Sequence, residues 1–232
     1  ERYQEEPNAK EDLEKIPLLK REDIKKEAEG YVNEEWQIDD TLLLFHNIFT
    51  DGIGYLRFIF DISHVPAELF PYIGVLKNVL GMVDTENYSY GSLYHETNIK
   101  TGGIGIVVNT YIDALHMPEY KVTLEIKAKA FYENLAEVFR LVEEIALRSN
   151  FADERRLYDV IAEVESRMQA SMVSSGHSLA AVRALSYVSP TAAIAGQISG
   201  IPQYRLLEKL ESGFEEEKET LTGKLEMLIK CI

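Results

Sequence analysis

The pattern of apolar and polar positions along the 232-residue chain predicts a few strands and then a long helical region. Two runs of bulky apolar residues, "TLLLFHNIF" and "GYLRFIFDIS", flank the segment "TDGIG". Because Asp-Gly tolerates positive φ, this arrangement predicts a β-hairpin. Helical spacing follows from Pro66 to about Val83, and a second helix is predicted from Ser89 to Lys100.

Two more strands are predicted in the middle of the chain, "GGIGIVVNTYI" and "EYKVTLEIKAKA". In the second, apolar and polar residues alternate strictly. The apolar set is Tyr120, Val122, Leu124, Ile126 and Ala128, and the polar set is Lys121, Thr123, Glu125, Lys127 and Lys129. Such alternation predicts one face against the core and one in water, and therefore an antiparallel sheet covered on one side.

The remaining sequence is helical in pattern. Apolar residues share one face from Phe131 to Arg148 and another from Ala152 to Met172. Those of the first helix are Phe131, Leu135, Val138, Phe139, Val142, Ile145 and Ala146, and those of the second are Leu157, Val160, Ile161, Val164, Met168 and Met172. Later helices are predicted after Ser189-Pro190, which is a cap followed by proline, and after Pro202, with stops at Gly200 and Gly213.

Strands and helices do not alternate strictly, because the order is ββααββ followed by helices. This order predicts an α+β fold with a mostly antiparallel sheet covered by helices. Residues 1–35 carry 12 acidic and 7 basic side chains. They are predicted to form a solvated helical connector, broken at Pro17 and anchored by Ile16, Leu18 and Leu19. We expect the α+β domain to span residues 36–213.

Residues 214–232, which open with "FEEEKE", are predicted to form a truncated helix that leads to a next domain. The chain begins with Glu1 and stops inside a helical pattern at "LEMLIKCI", so we expect it to be a segment of a longer polypeptide.

Composition narrows the classes of partner. The formal net charge of -15 argues against nucleic acid and against an anionic membrane surface. The 46% apolar content supports a folded core. A single cysteine, Cys231, excludes a disulfide framework and indicates a reducing compartment. With no signal-peptide pattern and no membrane-length apolar run, we expect a cytoplasmic protein of bacterial origin.

The histidines offer little support for a metal site. "HETNI", which begins at His95 and Glu96, starts like the zinc motif H-E-x-x-H but has Ile99 in place of the second histidine. A helix-surface pair is the simpler interpretation. "SSGHS" brings Ser175 close to His177, yet it lacks the strand–turn–helix context of a nucleophilic serine. A glycine break between two helices, with Ser174 or Ser175 as cap, is the alternative.

Other candidate motifs favour structural roles. "KTGGIG" has the glycines of a phosphate loop but enters a strand, so a tight turn or a close backbone approach is expected. The carboxylate pairs Glu143/Glu144 and Glu163/Glu165 are predicted to lie on solvated helix faces. The 13 tyrosines are expected at the edges of the core. The residues alone therefore predict a folded domain with no self-contained active site.

Several stretches, in order and spacing, resemble the insulinase/pitrilysin-type zinc peptidases, and within them the presequence-protease-like branch. They are "LEKIPLLKREDIKKE", "LFHNIFTDGIGYLRFIFDISHVPAELFPYIGVLKNVLG", "LYHETNIKTGGIGI" and "SSGHSLAAVRALSYVSPTAAIAGQISGIPQYRLLEKLE". The run "RMQASMVSSGHSLAAVRALSY" is the most specific of the shared segments. The resemblance covers nearly the whole chain.

This resemblance implies four related α+β domains in two halves, joined by a helical hairpin and closed around a chamber. The first half of such enzymes carries H-x-x-E-H, with two zinc-binding histidines and a glutamate as general base. Here "YIGVL" stands at that place, with Tyr72 at the first histidine, Val75 at the glutamate and Leu76 at the second histidine. The resemblance therefore implies the half that has lost its chemistry.

We accordingly expect a non-catalytic segment of a zinc-dependent metalloendopeptidase that degrades peptides, forming part of the chamber wall and hinge. No catalytic or metal-ligating residue is assigned to this chain, and zinc is expected in the other half of the parent enzyme. The expected partners are the remaining domains and unfolded peptide substrates. One alternative is an inactive peptide- or protein-binding scaffold of the same fold. Another is an independent hydrolase that uses His177 or His95.

Overall fold

The computed structural model describes residues 2–24, 26–27, 30, 32–113, 115–116 and 119–232. These residues form two compact units, Glu1–Phe49 and Thr50–Ile232. Parts of the predicted connector, at residues 1, 25, 28–29 and 31, lie outside the described residues.

The first unit contains short helical segments and a β-hairpin. The helical segments are α1 (Arg2–Glu5), α2 (Lys10–Leu13) and a 3-10 turn (Arg21–Asp23). The strands β1 (Glu34–Ile38) and β2 (Thr41–Phe45) pair antiparallel. The residues predicted to anchor the connector, Ile16, Leu18 and Leu19, are all exposed. The predicted anchoring therefore has no counterpart among the described residues.

The predicted hairpin through "TDGIG" is wrong. β2 pairs with β1 through the two-residue turn Asp39–Asp40, where Asp39 adopts a φ of 50°. Asp is one of the few residues that tolerate this left-handed region. The "TDGIG" segment does form a tight turn, with φ of 51° at Asp51 and 81° at Gly52. That turn leads into the next strand without joining it to β2.

The second unit is built on a three-stranded antiparallel sheet, as the alternating pattern predicted. Its strands are β3 (Ile53–Asp61), β4 (Ile104–Ile112) and β5 (Tyr120–Phe131), in the order β3-β5-β4. On the inner face, Phe58 of β3 and Ile106 of β4 both lie opposite Ile126 of β5. The odd-numbered residues of all three strands consequently share the outer face.

Helices cover the inner face and confirm the α+β class. A 3-10 turn (Ala67–Leu69) leads into α3 (Phe70–Val79), followed by α4 (Tyr90–Lys100). After the sheet come a 3-10 turn (Tyr132–Asn134), α5 (Leu135–Leu147), α6 (Glu154–Ser174), α7 (Gly176–Leu185), α8 (Pro190–Ser199), α9 (Ile201–Ser212) and α10 (Phe214–Ile229). In the described ranges, none of these helices combines the length and apolarity that a bilayer span requires.

The predicted helix boundaries have clear local causes. The Ser89 hydroxyl accepts the amide of Ser92 at the start of α4, and the Ser189 hydroxyl accepts the amide of Ala192 at the start of α8. These are N-caps of the expected type. Gly200 separates α8 from α9, as predicted.

The core lies between the sheet and the helices. α5 packs on β5, and α3 packs against α6, α8, α9 and α10. Val122, Leu124 and Ile126 are buried beneath them. Two aromatic residues assigned to the buried face of α5, Phe131 and Phe139, are instead largely exposed. Phe131 lies at the end of β5, before α5 begins, and the Phe139 ring packs edge-on against Phe58.

Candidate functional site

Helix α3 carries the three positions that resemble the zinc motif, and all three are buried. Val75 and Leu76 are 1% and 0% exposed, and Tyr72 is 9% exposed. The residues that enclose Leu76 are apolar, namely Ile62, Val65, Ile73, Leu124, Leu228 and Ile232. The Lys224 ammonium lies 3.9 Å from the centre of the Tyr72 ring, a cation–π contact.

Local sequence explains why α3 occupies this place. Pro71 stands in its first turn, where the missing N–H costs nothing. Gly74 allows close packing against α8, because an added Cβ would collide with the Ile198 carbonyl oxygen and the Gln203 side chain. The helix is therefore an internal packing element rather than the wall of a cleft.

These residues do not fit a zinc ion. Valine and leucine carry no donor atom, and zinc requires nitrogen, sulfur or oxygen ligands. Over the described ranges, no group of three or more histidine, cysteine or acidic side chains is placed to hold a metal.

The histidine and serine candidates lie apart from any site. His95 on α4 and His177 on α7 are both exposed or nearly so, on the outer faces of their helices. The glycine break between α6 and α7 is confirmed. Ser175 occupies the N-cap position of α7, but its side chain makes no capping hydrogen bond. Neither Ser175 nor His177 has a side-chain hydrogen bond to any described residue, so the pair lacks the contacts of a nucleophile and its base.

The "KTGGIG" segment forms the expected turn before β4 and also a close approach. Gly103 adopts a φ of 111°, and the Gly102 amide donates to the Lys129 carbonyl oxygen at 2.7 Å. A Cβ on Gly102 would meet the aliphatic stem of Lys129 at 2.8 Å. Glycine here lets the Lys129 side chain lie across the turn.

The expectation that Glu144 is solvated is wrong. Its carboxylate is buried and accepts hydrogen bonds from Asn87 at 2.6 Å and Arg148 at 3.0 Å. Burial opposes ionisation, but hydrogen bonds from Asn87 and Thr85 and the Arg148 charge outweigh it. The pKa of Glu144 therefore lies below its ordinary value. Its neighbour Glu143 is exposed, as predicted.

The expectation that the whole outer face of β5 meets water is also wrong, because Glu125 is fully buried there and Thr123 nearly so. One Glu125 oxygen accepts hydrogen bonds from the Tyr111 hydroxyl at 2.6 Å and the Thr123 hydroxyl at 3.0 Å. The other lies 3.4 Å from Arg57 Nε and 3.8 Å from Lys127 Nζ. Burial raises the pKa of Glu125, but these hydrogen bonds and the Arg57 charge lower it more.

Cationic side chains lie beside Glu125 on the same face and line a groove of about 370 Å³. We call it the basic groove and define it by Tyr55, Arg57, Gly103, Lys127 and Lys129. Arg57 lies opposite Lys127, and Tyr55 lies opposite Lys129. Sequence reasoning missed the groove, although the lysines at alternate positions of β5 were its visible signal.

The chain is similar to proteins from bacteria and from organelles. Protein HypA of Clostridium perfringens is 37% identical over 222 residues, which are 96% of this chain and 23% of that protein. The mitochondrial presequence protease of Yarrowia lipolytica is 26% identical over 217 residues, 94% of this chain and 22% of that protein. Presequence protease 1, chloroplastic/mitochondrial, of Arabidopsis thaliana is 26% identical over 230 residues, 99% of this chain and 21% of that protein.

The chain thus spans between a fifth and a quarter of the length of these relatives. A family model matches residues 1–210, nearly the whole chain, and describes a region associated with peptidases of metallopeptidase family 16, subfamily C. The sequence resemblance to insulinase-type peptidases is confirmed at this level, and the chain belongs to this family of peptidase-associated regions.

Proposed function

We propose that this chain is a non-catalytic region of a zinc-dependent metalloendopeptidase that degrades peptides. The observation that carries the proposal is the similarity of almost the entire chain to about a fifth of two presequence proteases. The buried, donor-free positions Val75 and Leu76 on α3, with Tyr72 beside them, support a role without metal chemistry. Zinc and the general base then belong to another part of the parent polypeptide.

In this proposal the second unit contributes to the wall of a chamber that admits unfolded peptides. Residues 1–35 form the end of a connector that acts as a hinge, residues 36–213 form the peptidase-like domain, and residues 214–232 lead to the next domain. A cytoplasmic location in a bacterium is part of the same proposal. The extensive core of the second unit supports a rigid structural role.

The proposal is tested by sequencing the parent coding DNA upstream of Glu1 and assaying the full-length polypeptide. We expect an H-x-x-E-H motif in that upstream sequence. We also expect cleavage of a fluorogenic unstructured peptide that stops on addition of a chelator, and no cleavage by the 232-residue chain alone. A full-length polypeptide with neither motif nor activity would instead favour the inactive scaffold.

A further inference from the structure

The basic groove is unusual in a chain with a formal net charge of -15. Arg57, Lys127 and Lys129 line it, and the acidic side chain in contact with the first two is the buried Glu125. Three cations beside one carboxylate leave a net positive field at this place. A positive site on an acidic protein attracts anionic groups locally while the rest of the surface repels them.

The floor of the groove is open. A Cβ added to Gly103 or Gly105 would meet no atom within 4 Å, so the backbone there is uncovered. Tyr55 and Ile59 project from β3 on the same face, and both are largely exposed. The groove therefore combines cationic side chains, a flat backbone surface and apolar contacts.

The spacing of the cations selects the form of the ligand. Lys127 and Lys129 are alternate residues of one strand, about 6.8 Å apart along its axis. In an extended peptide, side chains at alternate positions point the same way and are separated by the same distance. Carboxylates placed two residues apart in such a peptide can face both lysines, with Arg57 adjacent across the sheet.

We propose that the basic groove binds an extended peptide segment that carries carboxylate side chains at alternate positions. The inference deepens the proposed function and rests on it for the source of the peptide, an unfolded substrate. A nucleic acid fits less well, because its many phosphates would also meet the strongly acidic remainder of the chain.

The test is a nuclear magnetic resonance titration of the ¹⁵N-labelled 232-residue chain with three acetylated decapeptides. The first alternates Glu and Thr, the second alternates Gln and Thr, and the third has five Glu followed by five Thr. We expect the alternating acidic peptide to shift the amides of Gly103, Gly105, Lys127 and Lys129. We expect it to bind more tightly than either of the other two peptides.

Variants separate the groove from general electrostatics. Lys129→Met keeps the stem that lies over Gly102 and removes the charge, so we expect binding to weaken about 1.5- to 5-fold, as for one surface ion pair. Lys121→Met is the matched control. It removes a lysine from the same face of β5, about 20 Å from Lys127, where Lys121 is 3.8 Å from Asp61. Binding by the control should be unchanged.

The inference fails if the block peptide binds as tightly as the alternating one, or if the two variants weaken binding equally. It also fails if inorganic triphosphate shifts the same amides and displaces the alternating peptide at lower concentration, since the groove would then be a simple anion site. Cleavage of a neutral peptide by the full-length polypeptide is measured separately. Its absence would overturn the proposed function but leave the binding result intact.

Discussion

Replacing Leu76 with histidine tests whether α3 serves packing alone. The change places a zinc-ligand type of side chain where the family motif has its second histidine. Leu76 is completely buried, so the change removes a hydrophobic contribution of about 1.5–3 kcal/mol. An imidazole N–H without an acceptor adds a cost of about 1–3 kcal/mol. We expect a loss of about 3–5 kcal/mol in the free energy of unfolding.

The neighbours of Leu76 make this estimate specific. They include Ile62, Ile73, Leu124 and Leu228, and none of these side chains can accept a hydrogen bond. A loss of this size is a large part of the total of about 5–15 kcal/mol typical of folded proteins. For a protein of this length each kcal/mol lowers Tm by roughly 2–4 °C, so Tm should fall by about 6–20 °C.

Urea unfolding followed by circular dichroism in the far ultraviolet measures the change, with Leu76→Met as the control. Methionine preserves volume and apolarity, so it should cost less than about 1.5 kcal/mol. The buried histidine stays neutral while the unfolded chain protonates below about pH 6.5, so the Leu76→His deficit should grow as pH falls. A deficit under about 1 kcal/mol, or stabilisation of the variant by zinc, would refute the packing role.

The same contacts support three further predictions. Gly74→Ala should destabilise the chain by about 1–3 kcal/mol, because its Cβ would strike α8. Gly196→Ala, with open space at its Cβ, should be neutral or stabilising by up to about 1 kcal/mol; equal effects on urea midpoints would contradict the assignment. Glu144→Gln should destabilise near pH 7, and the difference should shrink as pH falls through the lowered pKa of Glu144, since the wild type then loses its charged hydrogen bonds too. A pH-independent difference would count against this. Ser189→Ala should cost about 1 kcal/mol through loss of the α8 cap, whereas Ser186→Ala, outside an N-cap position, should cost less.

Local signals predicted the helices and the type of sheet well. The caps at Ser89 and Ser189 and the stop at Gly200 depend on a few neighbouring residues, and the structure confirms them. The alternation along β5 likewise predicted which of its residues enter the core.

Strand pairing and polar burial were predicted poorly, because they depend on distant residues. The apolar run of β2 did not reveal whether β1 or β3 would be its partner. Glu125 looked solvated by alternation, but Tyr111 and Arg57, which contact it, come from two other strands. A periodicity indicates a face and does not indicate what covers it.

The site followed the same division. The absence of donor atoms at Val75 and Leu76 was visible in the sequence, and their burial was not. The basic groove needed the register that places Arg57 opposite Lys127. Sequence alone could show that chemistry is missing from α3, while the assembly of cations on the sheet required the fold.

The most direct test of the account is the zinc content of the 232-residue chain beside that of the full-length polypeptide. Both are incubated with zinc, dialysed and measured by mass spectrometry of the metal. We expect about one retained zinc per full-length polypeptide, as in a catalytic site with three protein ligands, and essentially none in the chain. One tightly held zinc per chain would contradict the assignment of this region as non-catalytic.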